Sequence, residues 1–96
     1  MNHKNGKGFI EYSNKSRYFG DFVNDKPHGQ GMLEYGNEYY IGDFENGMMD
    51  GDGLWKNEKG EKYVGKWKNN KAHGYGVYST ENSHYQGIFT CELRIV

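Results

Sequence analysis

The chain has 96 residues, of which 34% are hydrophobic, 17% are aromatic and 15 are glycine. This length allows at most one domain, the aromatic content disfavours disorder, and a formal net charge of −1 gives no field that would indicate nucleic-acid binding. A single cysteine, Cys91, permits no internal disulfide, so we expect a reduced, cytoplasmic protein.

Two short motifs recur along the chain with a spacing of 22 or 23 residues. Gly-x-Gly begins at Gly6, Gly29, Gly51 and Gly74, and Tyr-x-Gly-x-Phe/Trp begins at Tyr18, Tyr40, Tyr63 and Tyr85. Self-similarity at a fixed short period is the signature of a repeat protein.

The two motifs divide the chain into units within a single domain, 1–96. Gly6–Tyr12 is predicted to be a strand, and Ser13–Lys15 a short turn. The units are a half repeat over 1–17, full repeats over 18–39, 40–62 and 63–84, and a partial repeat with a C-terminal tail over 85–96.

Each repeat is predicted to form a β-hairpin, because side chains alternate between the two faces of a strand. In the central repeat, the predicted pairs are Tyr40/Trp55, Gly42/Gly53 and Phe44/Gly51. The same register gives Tyr18/Leu33, Gly20/Gly31 and Phe22/Gly29 in the first repeat, and Tyr63/Tyr78, Gly65/Gly76 and Trp67/Gly74 in the third. Between hairpins, Gly36-Asn37 fits a two-residue turn. The predicted fold is all-β, an elongated, twisted, single-layer antiparallel meander in which each hairpin touches its neighbours.

Glycines alternating with aromatic residues have a physical reason in such a sheet. Glycine has no side chain, so a neighbouring ring can lie flat over its backbone. The opposite face is predicted to carry an apolar row, Phe19/Met32, Ile41/Leu54 and Val64/Val77, beside a polar row, Asp21/Gln30, Asp43/Asp52 and Lys66/Tyr75.

The pattern resembles the MORN (membrane occupation and recognition nexus) repeat, whose signature is close to Tyr-x-Gly-x-Trp-x-x-Gly-x-x-His-Gly-x-Gly. The copy that fits best has Tyr63, Gly65, Trp67, His73, Gly74 and Gly76; Asp50 and Asn5 stand where the motif has histidine. The resemblance covers residues 5–89. It implies a groove-like sheet that binds partners as an adaptor or scaffold at cytoskeletal, ciliary or membrane-junction sites. Some family members dimerise, and lipid binding has been proposed for the family.

The best candidate for partner binding is the aromatic face, since exposed aromatic patches usually mark interfaces. A peptide or helix of a protein partner is the expected ligand. The alternative is that the rings only stack on one another and on the glycines. The predicted partner-binding residues are Tyr18, Phe22, Tyr40, Phe44, Trp55, Tyr63, Trp67, Tyr78, Tyr85 and Phe89.

The terminal edges are a second candidate, because an unpaired strand edge pairs with other chains unless it is blocked. Glu92–Val96 could form an extra strand that covers the last edge. Alternatively, a second copy pairs there and forms a homodimer.

Other sites have weaker support. His28 and His73 fall roughly 19 Å apart in the predicted sheet, too far to share a metal, so we expect them to bond turn backbone. Asp52 is expected to form an exposed ion pair with Lys66. Residues 34–52 are acidic, whereas 56–71 carry six lysines that could contact anionic phospholipid. The sequence lacks a nucleophile elbow and a phosphate loop, so we predict no enzyme activity, no cofactor and no metal.

Overall fold

The computed structural model describes residues 5–89, which form eight antiparallel strands in one sheet with the strand order β1 to β8. The strands are β1 Gly6–Glu11, β2 Arg17–Val23, β3 Lys26–Tyr35, β4 Glu38–Glu45, β5 Met48–Lys56, β6 Lys62–Lys68, β7 Lys71–Ser79 and β8 His84–Phe89. The molecule measures 50 × 24 × 17 Å. This confirms the predicted all-β, single-layer meander. Residues 5–89 contain no helix long and apolar enough to cross a membrane.

Most of the predicted register is confirmed. Tyr40 pairs with Trp55, and Gly42 with Gly53. The corresponding pairs form in the other two repeats, and Tyr35 pairs with Glu38 across the Gly36-Asn37 turn. The glycines that the sequence aligned therefore face one another across every hairpin.

The outermost pair predicted for each hairpin is wrong. Phe44 pairs with Met49 rather than with Gly51. Likewise, Phe22 pairs with Pro27 instead of Gly29, and Trp67 with Ala72 instead of Gly74. The first glycine of each Gly-x-Gly motif instead pairs with the aromatic residue of the adjacent hairpin: Gly6 with Phe22, Gly29 with Phe44, Gly51 with Trp67 and Gly74 with Phe89.

The cause of this shift is the turn that closes each hairpin. Asn46 and Gly47 both have positive φ, 51° and 87°, as in the two-residue turns that suit the twist of a hairpin. The turn sets Glu45 opposite Met48, whereas the glycine row sets Gly42 opposite Gly53. The two registers differ by two residues, and a β-bulge between Gly42 and Phe44 absorbs the difference, with Asp43 opposite the three residues 50–52 of β5.

The bulge gives Asp21 and Asp43 a structural role. The Asp43 carboxylate accepts the backbone N–H of Asp52 at 2.9 Å, and Asp21 accepts that of Gln30 at 3.1 Å. In the third repeat the bulge residue is Lys66, which forms the predicted exposed ion pair with Asp52 at 2.7 Å. The sheet thus keeps the bulge while changing the side chain on it.

One face of the sheet, here the inner face, carries the rings of Tyr18, Tyr40 and Tyr63, all completely buried. The other, the outer face, carries the predicted apolar row, whose residues pair across consecutive strands. On that row Phe19, Ile41 and Val64 are about half exposed. The core therefore lies on the inner face.

Candidate binding site on the inner face

The aromatic rings of the inner face form a continuous ladder of edge-to-face contacts. Tyr40 lies at its centre, 5.1 Å from Phe44 and 5.0 Å from Trp67 between ring centroids. In order, the ladder runs Phe22, Tyr18, Phe44, Tyr40, Trp67, Tyr63, Phe89, Tyr85. Perpendicular rings at these separations place a positive ring edge against a negative ring face.

Each buried tyrosine of the ladder covers the glycines of its own hairpin. A Cβ atom added to Gly53 would collide with the ring of Tyr40, and one added to Gly31 or Gly76 would collide with Tyr18 or Tyr63. The predicted role of the glycines is thereby confirmed. They leave room for a ring that needs the space directly above the backbone.

The tyrosine hydroxyls also satisfy backbone groups at the bulges. The Tyr40 hydroxyl donates to the carbonyl of Asp43 at 2.8 Å, and the Tyr18 hydroxyl donates to that of Asp21 at 2.7 Å. Burial raises the pKa of Tyr18 to about 12, and the nearby Asp21 charge adds to the rise. Burial also raises the pKa of Tyr40, and the nearby Asp43 charge adds to the rise.

The predicted partner-binding residues differ sharply in accessibility. Tyr78 and Phe89 are partly buried, and Tyr85 is 60% exposed. The remaining seven are 4% exposed or less: Tyr18, Phe22, Tyr40, Phe44, Trp55, Tyr63 and Trp67. The expected stacking is confirmed, while binding of a partner by these rings stays a prediction.

An open cavity of about 530 Å³ gives access to the inner face near its N-terminal end. Its wall includes Tyr18, Leu33 and Phe44. The rim comes from both ends of the strands, with Tyr12, Ser13, Asn14 and Ser16 at one end and Asp25, Lys26, Pro27, Asn46 and Gly47 at the other. An apolar floor with a polar rim is the usual form of a binding cleft.

Several residues of this site were missed by the sequence reasoning. Met49 and Ala72 are buried in the core, and Pro27 both pairs with Phe22 and lines the cavity. The signal for them was the turn, because pairing residues outward from both sides of each Asn-containing turn places Pro27, Met49 and Ala72 opposite the ladder aromatics. The predicted strand Gly6–Tyr12 is wrong at its end, because β1 ends at Glu11 and Tyr12 begins the loop that follows. The fold of the Tyr12–Ser16 loop, which brings Tyr12 to the cavity, could not be deduced from its sequence.

The Tyr12–Ser16 loop is itself well ordered by hydrogen bonds. The backbone N–H of Tyr12 donates to the carbonyl of Ser16 at 2.8 Å. Ser16, which is 1% exposed, donates its hydroxyl and its backbone N–H to the Asn14 side chain, at 2.6 and 3.0 Å. This end of the cavity is therefore built before any ligand arrives.

Neighbouring turns are joined through the position that is histidine in the motif. The backbone N–H of Asn46 donates to the His28 ring at 3.3 Å, which confirms the expected turn role of this histidine. Asp50 accepts from Asn69 and Asn5 from Asn24 in the same way. Histidine, aspartate and asparagine at this position thus all accept a backbone N–H from the neighbouring turn. No group of three or more metal-ligating side chains occurs among residues 5–89.

The model of the MORN repeat matches this chain three times, at residues 18–38, 40–56 and 63–84. These matches begin at the three fully buried tyrosines. The chain belongs to the MORN repeat family. MORN repeats are generally modules for protein or membrane interaction, and the repeat is not a catalytic unit. No curated protein sequence matches the chain.

The lysines of this MORN chain are spread over the sheet rather than gathered in one patch. Lys56 and Lys62 pair across two strands on the outer face, and the Leu54/Val64 pair separates them from the Lys66–Asp52 ion pair. Lys59 lies in the loop at one end of the strands, and Lys68 precedes the turn at the other. The predicted phospholipid binding stays a prediction, and residues 5–89 show no dense basic surface that would support it.

Proposed function

We propose that this protein is a non-catalytic scaffold that binds a peptide or helix of a protein partner at the inner face. The observation that carries the proposal is the cavity of about 530 Å³, where an apolar side chain of the partner would reach Leu33 and Phe44. Sites of this volume that combine an apolar floor with a few polar groups suit specific ligands. In this role the protein would act as a cytoplasmic adaptor at cytoskeletal, ciliary or membrane-junction sites.

Tyr12 is the side chain to which we assign most of the binding energy. It lies on the cavity rim and is 36% exposed, so its ring is available to a ligand. Tyrosine is enriched among the residues that dominate interface energies, because a large rigid ring loses little entropy on binding. The ladder rings beneath it would act mainly by holding the floor of the cavity rigid.

The test is a peptide selected from a random library on the intact chain, followed by affinity measurements on two variants. Tyr12→Ala should weaken binding by about 10-fold or more, as expected when an interface aromatic contributes over ~1.4 kcal/mol. Tyr35→Ala is the matched control, because Tyr35 is 40% exposed and does not line the cavity. Equal losses in both variants would contradict the proposed site.

Phospholipid binding is the alternative function, and the specific observation in its favour is the Lys56–Lys62 pair of like charges on the outer face. Like charges directly opposite each other repel in a sheet, and an anionic headgroup would relieve that repulsion. Sedimentation with anionic liposomes should then be sensitive to salt and should decrease in Lys56→Gln. Absence of salt-sensitive sedimentation would reject this alternative.

A homodimer through a terminal edge strand is a further proposal for the partner. It is supported by the sheet topology, in which β1 and β8 each have one neighbour within residues 5–89. The predicted additional strand at Glu92–Val96 lies outside the described residues. Solution mass by light scattering would test self-association, and a mass of one chain at every concentration would reject it.

A further inference from the structure

The two outer strands of the sheet carry complementary halves of one repeat. β1 contains the Gly6-x-Gly8 motif, which elsewhere follows a Tyr-x-Gly strand. β8 contains Tyr85-x-Gly87-x-Phe89, which elsewhere precedes a Gly-x-Gly strand. In each complete hairpin a Tyr-x-Gly strand pairs with a Gly-x-Gly strand. β8 and β1 therefore each carry the half of this pair that the other lacks.

Tyr85 shows that the inner face is incomplete at β8. It is 60% exposed, whereas the tyrosines at the same motif position, Tyr18, Tyr40 and Tyr63, are each 0% exposed. Those three rings lie over the glycines of a following strand. Within residues 5–89 no strand follows β8 in the sheet, and the aromatic ladder ends on the accessible ring of Tyr85.

Gly87 shows the same incompleteness from the backbone. A Cβ atom added at Gly20, Gly42 or Gly65 would lie 2.5 Å from the Cα of the glycine opposite. At Gly87 the nearest atom would be the Tyr85 hydroxyl oxygen, at 3.6 Å. At Gly20, Gly42 and Gly65 the opposite strand lies so close that only glycine fits. Gly87 has room for an opposite strand at the same distance.

From these observations we infer that the chain assembles head to tail, with β8 of one copy pairing antiparallel with β1 of the next. The first hairpin supplies the register, since Gly20 pairs with Gly31 and Tyr18 with Leu33. Applied to the junction, it sets Gly87 opposite Gly8 and Tyr85 opposite Ile10 of the second copy. Tyr85 then covers Gly8, as Tyr18 covers Gly31.

Residues beside these glycines fit the same register. Ile10 is partly buried and packs against the core, as Leu33 does in the first hairpin. On the outer face, Gln86 stands opposite Phe9 of the second copy, which continues the row that includes Phe19. At the end of the strands, His84 stands opposite Glu11, the positions at which Arg17 and Glu34 form an ion pair at 2.6 Å.

This contact joins two different surfaces, so a pair of copies still has one β1 and one β8 that are not used in the junction. Interfaces of this kind grow into open chains when the rotation does not close a ring. The expected assembly is therefore longer than a dimer and lengthens with concentration. It does not depend on ligand binding in the cavity, because Tyr12 and Phe44 are not part of the junction.

The experiment measures solution mass by light scattering on the whole chain over a series of concentrations. The mass should rise from 11.1 kDa through multiples of it as concentration increases. Gly8→Val places a side chain where the Tyr85 ring must lie, and Tyr85→Ala removes that ring. Each variant alone should keep the β-sheet circular dichroism spectrum and the mass of one chain. Tyr75→Ala is the control, because Tyr75 is 53% exposed on the outer face and should leave assembly unchanged.

Mixing the two variants distinguishes head-to-tail assembly from a symmetric dimer. The Gly8→Val variant retains an intact β8, and the Tyr85→Ala variant retains an intact β1. The mixture should therefore form pairs that contain one chain of each variant, and these pairs should grow no further. A wild-type mass that stays at 11.1 kDa overturns the proposal. So does a Gly8→Val variant that assembles as the wild type does, or a mixture that forms no pairs.

Discussion

Tyr40 and Tyr85 occupy the same motif position but have opposite surroundings, so the same substitution should have very different costs. Tyr40 is 0% exposed and contacts two rings, Phe44 and Trp67. Replacing a buried large aromatic residue by alanine costs about 3–5 kcal/mol. A chain of this length has a free energy of unfolding of roughly 5–14 kcal/mol, so Tyr40→Ala should remove about a fifth of it or more.

The Tyr85→Ala substitution should cost about 1–2 kcal/mol, because 60% of Tyr85 is already exposed and, within residues 5–89, its ring contact is with Phe89. Urea unfolding followed by circular dichroism measures both values at a concentration where the protein has the mass of a single chain. The two costs differ by about 1–4 kcal/mol, so with a slope of about 1–2 kcal/mol per molar urea the two midpoints should differ by roughly 0.5–4 M. Equal midpoints would show that the ladder does not hold the fold together.

Three further predictions concern the same ladder. Gly53→Ala should destabilise the chain by about 1–3 kcal/mol, since its Cβ would collide with the Tyr40 ring; an unchanged urea midpoint would contradict this packing. Tyr40→Phe should cost about 1–2 kcal/mol, because the Asp43 carbonyl loses its 2.8 Å donor, and a value near zero would show that this bond adds nothing. Since the pKa of Tyr18 is raised to about 12 in the folded state, its contribution is complete below pH ~10 and is lost as the pH rises towards ~12. Alkaline unfolding followed by tyrosinate absorbance should show this loss, and Tyr18→Phe should diminish it.

The strand register at the centre of each hairpin could be predicted from the sequence, because it depends on which residue types face each other across the hairpin. In a Tyr-x-Gly motif the tyrosine ring needs a second glycine across the hairpin to leave it room. This requirement sets Gly42 opposite Gly53. The same argument failed at Phe44, since it extended the glycine register into the turn. There the left-handed backbone of Asn46 and Gly47 decides which residues pair.

The candidate site was harder to predict because burial depends on how successive hairpins combine. Ten rings on one face indicated an interface, yet Tyr63 is covered by Trp67 and Phe89, which belong to its own hairpin and the next. The cavity joins both ends of the strands, from Tyr12 to Gly47. Its lining comes from a loop and two turns that lie far apart in the sequence, and local patterns do not specify how these come together.

The bulge position shows what varies among these repeats without loss of the fold. Asp21 and Asp43 accept a backbone N–H from the strand opposite, and Lys66 instead pairs with Asp52. The tyrosine and glycine positions around them stay the same. The buried inner face thus fixes the architecture, whereas the exposed bulge side chains are available to set the charge of the outer face.

In the proposed function, a protein partner binds at the cavity of the inner face. Amide chemical-shift mapping of the nitrogen-labelled chain, with the selected peptide added, tests it most directly. We expect the largest shifts on Tyr12–Ser16 and on Asn46 and Gly47, which lie on the cavity rim. Shifts concentrated on the outer row, at Phe19 and Ile41, with the rim unchanged, would contradict it.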